Sequence, residues 1–355
     1  MTMGQTGGNY LCPCGSGKMF KQCCLVKAAP AGMKNLAEAL LNEIKEEVEK
    51  RHLSSMDEIN SFIRDFMKGV NQEAMEDFLG FSPEQMHRML DFALEDTEDI
   101  VNFNNNMEPA IYQQTPIVAD SLIFLQALSE KEPLKATAKG NLPLTLVKEL
   151  VEKLNIMEET KRWLFSVRSE EDSIGLNALR HILTMCGWIK IQKNHFSLTA
   201  KGKSVLMTGC SGAEYYHLLK TYTRKFNWAS LDRFTEMRII QQSFLFSLYI
   251  LRELARDFIE DTILAGYFIG AFPMVLQEVR QTTVFDPRKE VTMCFSRRFL
   301  QWFCRYFGFV EIREEKIEGS FVRKRRFVKN TDFLEKYVIW KLPQTRSHSI
   351  SSRNN

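Results

Sequence analysis

Four cysteines fall within thirteen residues near the start of the chain, as Cys12-Pro13-Cys14 and Cys23-Cys24. Such crowding constrains the segment strongly, because it needs a chemical reason. Zinc takes four soft or borderline ligands in a tetrahedron, with sulfur at ~2.3 Å, and a short segment supplies them as two close pairs joined by a turn. Cys12/Cys14 and Cys23/Cys24 are two such pairs. Gly15 and Gly17 let the backbone turn tightly and aim amide N–H groups at sulfur, while Lys18, Lys21 and Lys27 offset the negative charge of a four-thiolate site. A disulfide staple would suit a small secreted domain. This chain has 355 residues, and its polar, glycine-rich opening lacks the charged start and apolar run of a secretory signal. Zinc bound by Cys12, Cys14, Cys23 and Cys24 is therefore the expectation, and the cytoplasm the expected location. The neighbouring Gly15-Ser16-Gly17-Lys18 is not a phosphate loop: Cys12 stands where the first glycine belongs, and Met19 follows the lysine where a hydroxyl is required.

The run Cys12-Pro-Cys14-Gly-Ser-Gly-Lys, followed by Phe20, Lys21 and Cys23-Cys24, resembles the SEC-C motif found at the C-terminus of the translocation ATPase SecA and in many otherwise unrelated proteins. In SecA the knuckle is a zinc-dependent contact for the export chaperone SecB and the ribosome. The resemblance thus implies zinc and docking to a macromolecular partner, but not the ATPase, for which this chain has no motor. Stretches such as 79–87, Gly140-Asn141-Leu142-Pro143 with Val147, and Arg298-Phe299 with Phe307-Gly308 are similar to bacterial SEC-C and plasmid-type proteins of unknown function. That likeness implies architecture and no mechanism.

Charge is unevenly spread behind a formal net value of +3. Residues 1–34 carry four lysines and no acid, residues 35–132 hold 7 basic and 21 acidic side chains, and residues 133–355 hold 36 basic and 23 acidic ones. The basic C-terminal part is thus expected to meet a polyanion or the acidic part of the same chain. The apolar stretches 239–251 and 262–276 are shorter than the ~20 apolar residues a spanning helix needs, so both are expected as buried core helices and no membrane association is expected.

Leu36, Leu40, Ile44 and Val48, four apart, predict an acidic amphipathic helix over 35–51. Ser82, Pro83 and Gln85 supply the cap, first turn and capping-box partner of another. The identity Thr-Ala-Lys-Gly at 137–140 and 199–202 reads as one unit repeated 62 positions apart, each copy between helical stretches. In the second, Trp188-Ile189-Lys190-Ile191 alternates like a strand, giving the helix, strand, turn, strand order of a winged-helix module. Residues 298–307, 309–312 and 321–328 repeat helix-then-hairpin a third time. The predicted fold is mainly α with small β-hairpins: a zinc knuckle at 1–27, an acidic helical region at 28–115, tandem winged-helix-like units at 116–210, a helical domain ending in a winged-helix-like hairpin at 211–345 and a disordered tail at 346–355.

No nucleophile elbow, H-E-x-x-H pair or full phosphate loop occurs, and the histidines at 52, 87, 181, 195, 217 and 348 do not group with cysteines at ligand spacing. Cys186, Cys210, Cys294 and Cys304 sit among apolar neighbours and read as small buried hydrophobes. Acidic runs such as Glu170-Glu171-Asp172 read as solvated faces or helix N-terminal turns. The strongest nucleic-acid signal is Arg323-Lys324-Arg325-Arg326 with Lys329, flanked by Phe321 and Phe327, which could line phosphates or could instead be a charged strand that blocks edge pairing. Three functions remain open: a non-enzymatic adaptor that docks a protein partner through its zinc knuckle, a winged-helix nucleic-acid-binding protein or regulator, and an enzyme of unrecognised type.

Overall fold

The computed structural model describes residues 31–91, 97–155, 167–279, 286–316 and 324–341. The predicted acidic helix is α1 (Ala31–Lys50). It is followed by α2 (Met56–Gln72), which starts at a reciprocal capping box between Ser55 and Glu58. Helix α3 (Pro83–Asp91) starts as its sequence requires: Ser82 N–H donates to Gln85 Oε1 (2.9 Å) and Gln85 N–H donates to Ser82 Oγ (3.2 Å).

The rest is built on one arrangement used twice. In the first use, α5 (Pro116–Ser129) leads to β2 (Leu134–Lys135), α6 (Leu144–Lys153), α7 (Ile174–Met185), β3 (Ile189–Gln192) and β4 (His195–Leu198); α4 (Pro109–Gln113) and β1 (Val101–Phe103) precede it. The strands form an antiparallel sheet in the order β2-β4-β3. After α8 (Ala200–Thr208), α9 (Gly212–Arg224) and α10 (Arg238–Gln242), the pattern recurs. Helix α11 (Phe244–Leu254) leads to β5 (Ile259–Glu260), α12 (Asp261–Ala271), α13 (Pro287–Phe295) with its π-helical continuation Ser296–Arg305, β6 (Val310–Lys316) and β7 (Lys324–Asn330). Its sheet order is β5-β7-β6, again antiparallel. Helix α14 (Asp332–Tyr337) and β8 (Val338–Trp340) close the described chain, with β8 pairing β1.

The correspondence extends to individual hydrogen bonds. Both third helices end in a glycine at positive φ, Gly187 (+70°) and Gly308 (+76°). In each, the glycine N–H donates back to Thr184 or Arg305, and the next N–H donates to Leu183 or Cys304, the paired bonds of a Schellman end. Twelve residues on in the first unit and twenty-three in the second, a threonine closes the hairpin against that same glycine: Thr199 Oγ1 donates to Gly187 O (2.6 Å) and Thr331 Oγ1 to Gly308 O (2.7 Å). The same hydroxyls then cap the next helices, accepting from Gly202 N (3.0 Å) and Leu334 N (3.2 Å).

The Thr-Ala-Lys-Gly identity marks a different relation from the expected repeat. Leu134 pairs with Phe196 and Lys135 with His195, so the two copies follow neighbouring strands of one sheet. Their glycines also serve different ends. Gly140 adopts φ +80° in open space, whereas a Cβ on Gly202 would lie 2.0 Å from Trp188 O.

One apolar core runs through both units and down to Phe81 and Val338. The stretches 239–251 and 262–276 enter it as α10, α11 and α12, with Phe244, Phe246, Leu248, Ile250, Leu264 and Phe268 buried. Among the described residues no helix is long and apolar enough to cross a membrane. Aromatic rings join the units: Tyr215 on α9 packs edge-on against Phe307, Phe333 and Tyr337, and its hydroxyl donates to Phe307 O (2.6 Å).

Candidate functional site

Cys12, Cys14, Cys23 and Cys24 lie outside the described residues, so their case is the chemistry of the donor set. Four thiolates in two close pairs suit zinc better than a harder cation. Helix α1 begins six residues beyond the last of these pairs' flanking Leu25. The other four cysteines are not competing ligands. All are buried, and burial pushes the thiols of Cys186, Cys210 and Cys294 up to about 12 and raises that of Cys304 well above its ordinary value. Each remains a protonated, apolar thiol at neutral pH, as its surroundings in the sequence imply.

The histidines stay dispersed. Partial burial and the adjacent Arg180 hold the His181 imidazole below its ordinary value, and the guanidinium lies 3.1 Å from its Nε2. His217 Nε2 lies 3.1 Å from Cys186 O, and His195 Nδ1 lies 2.8 Å from Lys193 O. Among the described residues no group of three or more His, Cys, Asp or Glu side chains could hold a metal.

Of the two expectations for the acidic run, the helix N-terminal turn holds, since Glu170–Asp172 forms a short helical turn ahead of α7, but Glu170 is not solvated. It is fully buried and ion-paired with Arg180, and its carboxylate also accepts from Leu142 N (2.6 Å) and Asn177 Nδ2 (3.0 Å). It ties the start of α6 to α7. Glu171 remains exposed, and Asp172 caps the short turn with Ser169. A second buried pair lies in the other unit, where Arg298 binds Asp232 through Nε (2.9 Å) and Nη2 (2.6 Å) and donates to the carbonyls of Thr235 and Glu236. Arg298 lies beside Phe299 in the buried row Phe295, Phe299 and Phe303, whereas its neighbour Arg297 is only half-buried.

The basic strand is β7, in register with an acidic one. Glu311 lies opposite Lys329, Glu314 opposite Arg326 and Glu315 opposite Arg325. Glu314 binds both Lys324 and Arg326, the latter at 3.1 Å; burial pushes its carboxyl up, but these two cations outweigh it and hold it below the usual range. Arg326 also lies 4.0 Å from Asp261, and Lys329 3.8 Å from Asp257. Arg323 falls outside the described residues. Across the described strands, six basic side chains face three acidic ones, so the hairpin keeps a positive balance.

The third helix of each unit is mostly covered. On α7, Leu176, Leu179, Ile182 and Leu183 are buried, leaving Ile174, His181 and Met185 outward. On α13 and its continuation, Val291, Phe295, Phe299, Leu300 and Phe303 are buried, and the exposed positions concentrate at the first turn, with Arg288 and Lys289.

Two family models match the chain. Residues 9–25 match the SEC-C motif, which contains all four knuckle cysteines, and residues 113–211 match the Y4jL N-terminal domain. The second match spans the first helix-and-sheet unit and ends where α9 begins. No curated protein and no solved structure matches the chain. The chain therefore carries a SEC-C motif of the zinc-binding type at its N-terminal end, ahead of a mainly helical body with sheets of two or three strands.

Proposed function

We propose that this chain is a zinc-dependent, non-enzymatic adaptor whose knuckle docks a protein partner. The SEC-C match over 9–25, with Cys12, Cys14, Cys23 and Cys24 inside it, carries the reading. These four thiolates would hold one zinc ion per chain, and the ion would supply the folding energy that so short a segment lacks. The covering of α7, which leaves Ile174, His181 and Met185 outward, speaks against groove reading by that helix, because a helix that reads a groove must present polar side chains outward. The decisive experiment captures partners from the native cell extract with the wild-type chain and with Cys12→Ser/Cys23→Ser, with metal content measured on both. Zinc at about one equivalent and partners lost with the variant are expected. Unchanged zinc content, or an unchanged set of partners after zinc loss, would sink the proposal.

A second reading is supported by the element order. Helix, strand, helix, helix and two-stranded hairpin, with the first strand flanking the last, is the winged-helix order, and it occurs twice. In that reading the β6–β7 hairpin is a wing, and Arg323, Lys324, Arg325, Arg326 and Lys329 contact phosphates. The cross-strand glutamates weigh against it.

A further inference from the structure

Between Asp172 and Glu214 the chain runs 41 residues without an acidic side chain, while carrying five lysines and arginines. Its most exposed part is the β3–β4 hairpin of the first unit. In that sheet Lys135, His195 and Gln192 stand in one cross-strand row and Ser197 and Lys190 in the next, on the face opposite the buried Phe196 and Leu198. No acid occupies these positions. Lys135 and Lys190 are exposed, and neither has an ion pair among the described residues. Glu132 lies within electrostatic reach of Lys190, but its carboxylate is already held by Lys203 (2.8 Å) and accepts from Leu198 N (2.7 Å). The β6–β7 hairpin differs, since glutamates there lie opposite the cations.

The tip of the hairpin adds a cation fixed in place. Gln192 pairs with His195, so Lys193-Asn194 is a two-residue loop, and both residues have positive φ, +50° and +59°. Such a turn favours Asn, Asp or Gly, so lysine is held at its first position at a cost in backbone strain. The tip is also tied down: Ala136 N–H donates to Asn194 O (2.9 Å), and His195 Nδ1 lies 2.8 Å from Lys193 O. Protection against edge pairing accounts for lysines on β2 and β3, the two edge strands of the sheet. It does not account for a lysine at a strained tip, where glycine or asparagine would turn the chain better.

Lysine, serine, asparagine and glutamine are among the side chains that contact phosphate and sugar in protein–DNA complexes, and this hairpin presents them together with no acid among them. A charged membrane surface would ask only for the lysines. A sheet face is open along its length, which suits a linear polyanion over a small one that must be enclosed. We propose that the outer face of β2-β4-β3, with the tip at Lys193, binds the sugar–phosphate backbone of a nucleic acid without reading its sequence. Lys135, Lys190 and Lys193 pair with phosphates, and Gln192, Asn194 and Ser197 hydrogen-bond beside them. This assignment rests on the nucleic-acid reading above and places a contact on the first unit. It asks nothing of α7, whose outward Ile174 and Met185 suit no groove.

The test measures fluorescence anisotropy of short labelled DNA and RNA duplexes of unrelated sequence with the full chain, over a salt series. Lys135→Gln/Lys190→Gln/Lys193→Gln, all at exposed positions, should weaken binding at least ~10-fold at 0.1 M salt. It should also lower the slope of log affinity against log salt by about 2–3, at ~0.9 for each lost phosphate contact. Lys193→Gly separates function from folding, because it relieves the positive φ and removes the cation together. Its thermal midpoint should rise while its slope falls by about one. A raised midpoint with an unchanged slope would make Lys193 a turn residue only and overturn its role. Salt-sensitive binding that the triple variant leaves intact would overturn this face and spare the nucleic-acid reading. No binding of either duplex at low ionic strength would end both, and binding to phosphatidylserine vesicles in its place would assign the lysines to a membrane surface.

Discussion

A buried ion pair matters most when half of it is removed, and Glu170 shows why. Its carboxylate is fully enclosed with Arg180, so Glu170→Ala would leave a buried guanidinium without its counter-charge. We expect a loss of about 3–5 kcal/mol, against a smaller loss for Glu170→Gln, which keeps acceptors for Leu142 N–H and Asn177. Urea unfolding would measure both; equal stabilities for wild type and Glu170→Ala would show that the pair contributes nothing. Gly202 makes a second residue-scale case. A methyl group there meets the Trp188 carbonyl at 2.0 Å, and since that carbonyl is backbone, Gly202→Ala must displace the turn between α7 and β3. At Gly140 space is open, and the cost of Ala comes only from its positive φ. Gly202→Ala should therefore lower the thermal midpoint more than Gly140→Ala, although the two glycines end the same four-letter identity. Equal midpoints would count against the close approach.

Among the elements, those with local signals were legible in the sequence. Ser82, Pro83 and Gln85 predict the start of α3 because a capping box is closed within four residues, and the alternation at 188–191 predicts β3, although Trp188 and Ile189 are buried while Ile191, on the same face as Ile189, is exposed. The duplication was only half visible. Thr-Ala-Lys-Gly stands out as identity, yet it marks two strands that pair with each other. The structural repeat instead relates Gly187 and Thr199 to Gly308 and Thr331, whose spacings differ by eleven residues because the second hairpin is longer. A hydrogen bond that closes across a variable loop leaves no fixed period to read. Each threonine both closes its hairpin and caps a helix, so Thr331→Val should cost about 1–2 kcal/mol, by the loss of the cap and of the bond to Gly308 O. Thermal or urea unfolding would check it, and an unchanged midpoint would deny the shared role. At the same scale, if the β6–β7 hairpin contacts phosphates, nucleic-acid binding should fall steeply with salt through counterion release. Replacing Arg323, Lys324, Arg325 and Arg326 by glutamine should flatten that dependence. Filter binding decides it: with no salt-sensitive binding to DNA or RNA at low ionic strength, the nucleic-acid reading goes.

For the whole molecule, the question is how far the knuckle and the body depend on each other. The contiguous core is made by residues between Phe81 and Val338, with the two units locked through Tyr215 and the rings around it. Among the residues whose side chains are described, none of α1 or α2 enters that core, and α2 has no buried residue. Helices α1 and α2 therefore stand between the cysteine motif and the core in sequence, and the core has its own source of stability in apolar burial. A four-cysteine segment, by contrast, folds on the free energy of metal binding, because so few residues bury little surface. Removing zinc should then unfold the segment up to about Val26 and leave the main thermal transition in place. Calorimetry with and without a strong chelator, read alongside zinc content, would measure it. The transition should keep both its midpoint and its enthalpy, since each reports the core. The same result should follow from Cys12→Ser/Cys23→Ser without chelator, which separates loss of zinc from any effect of the chelator itself. A large fall in the midpoint in both experiments would mean that the knuckle is built into the body's core, and that zinc holds the whole chain.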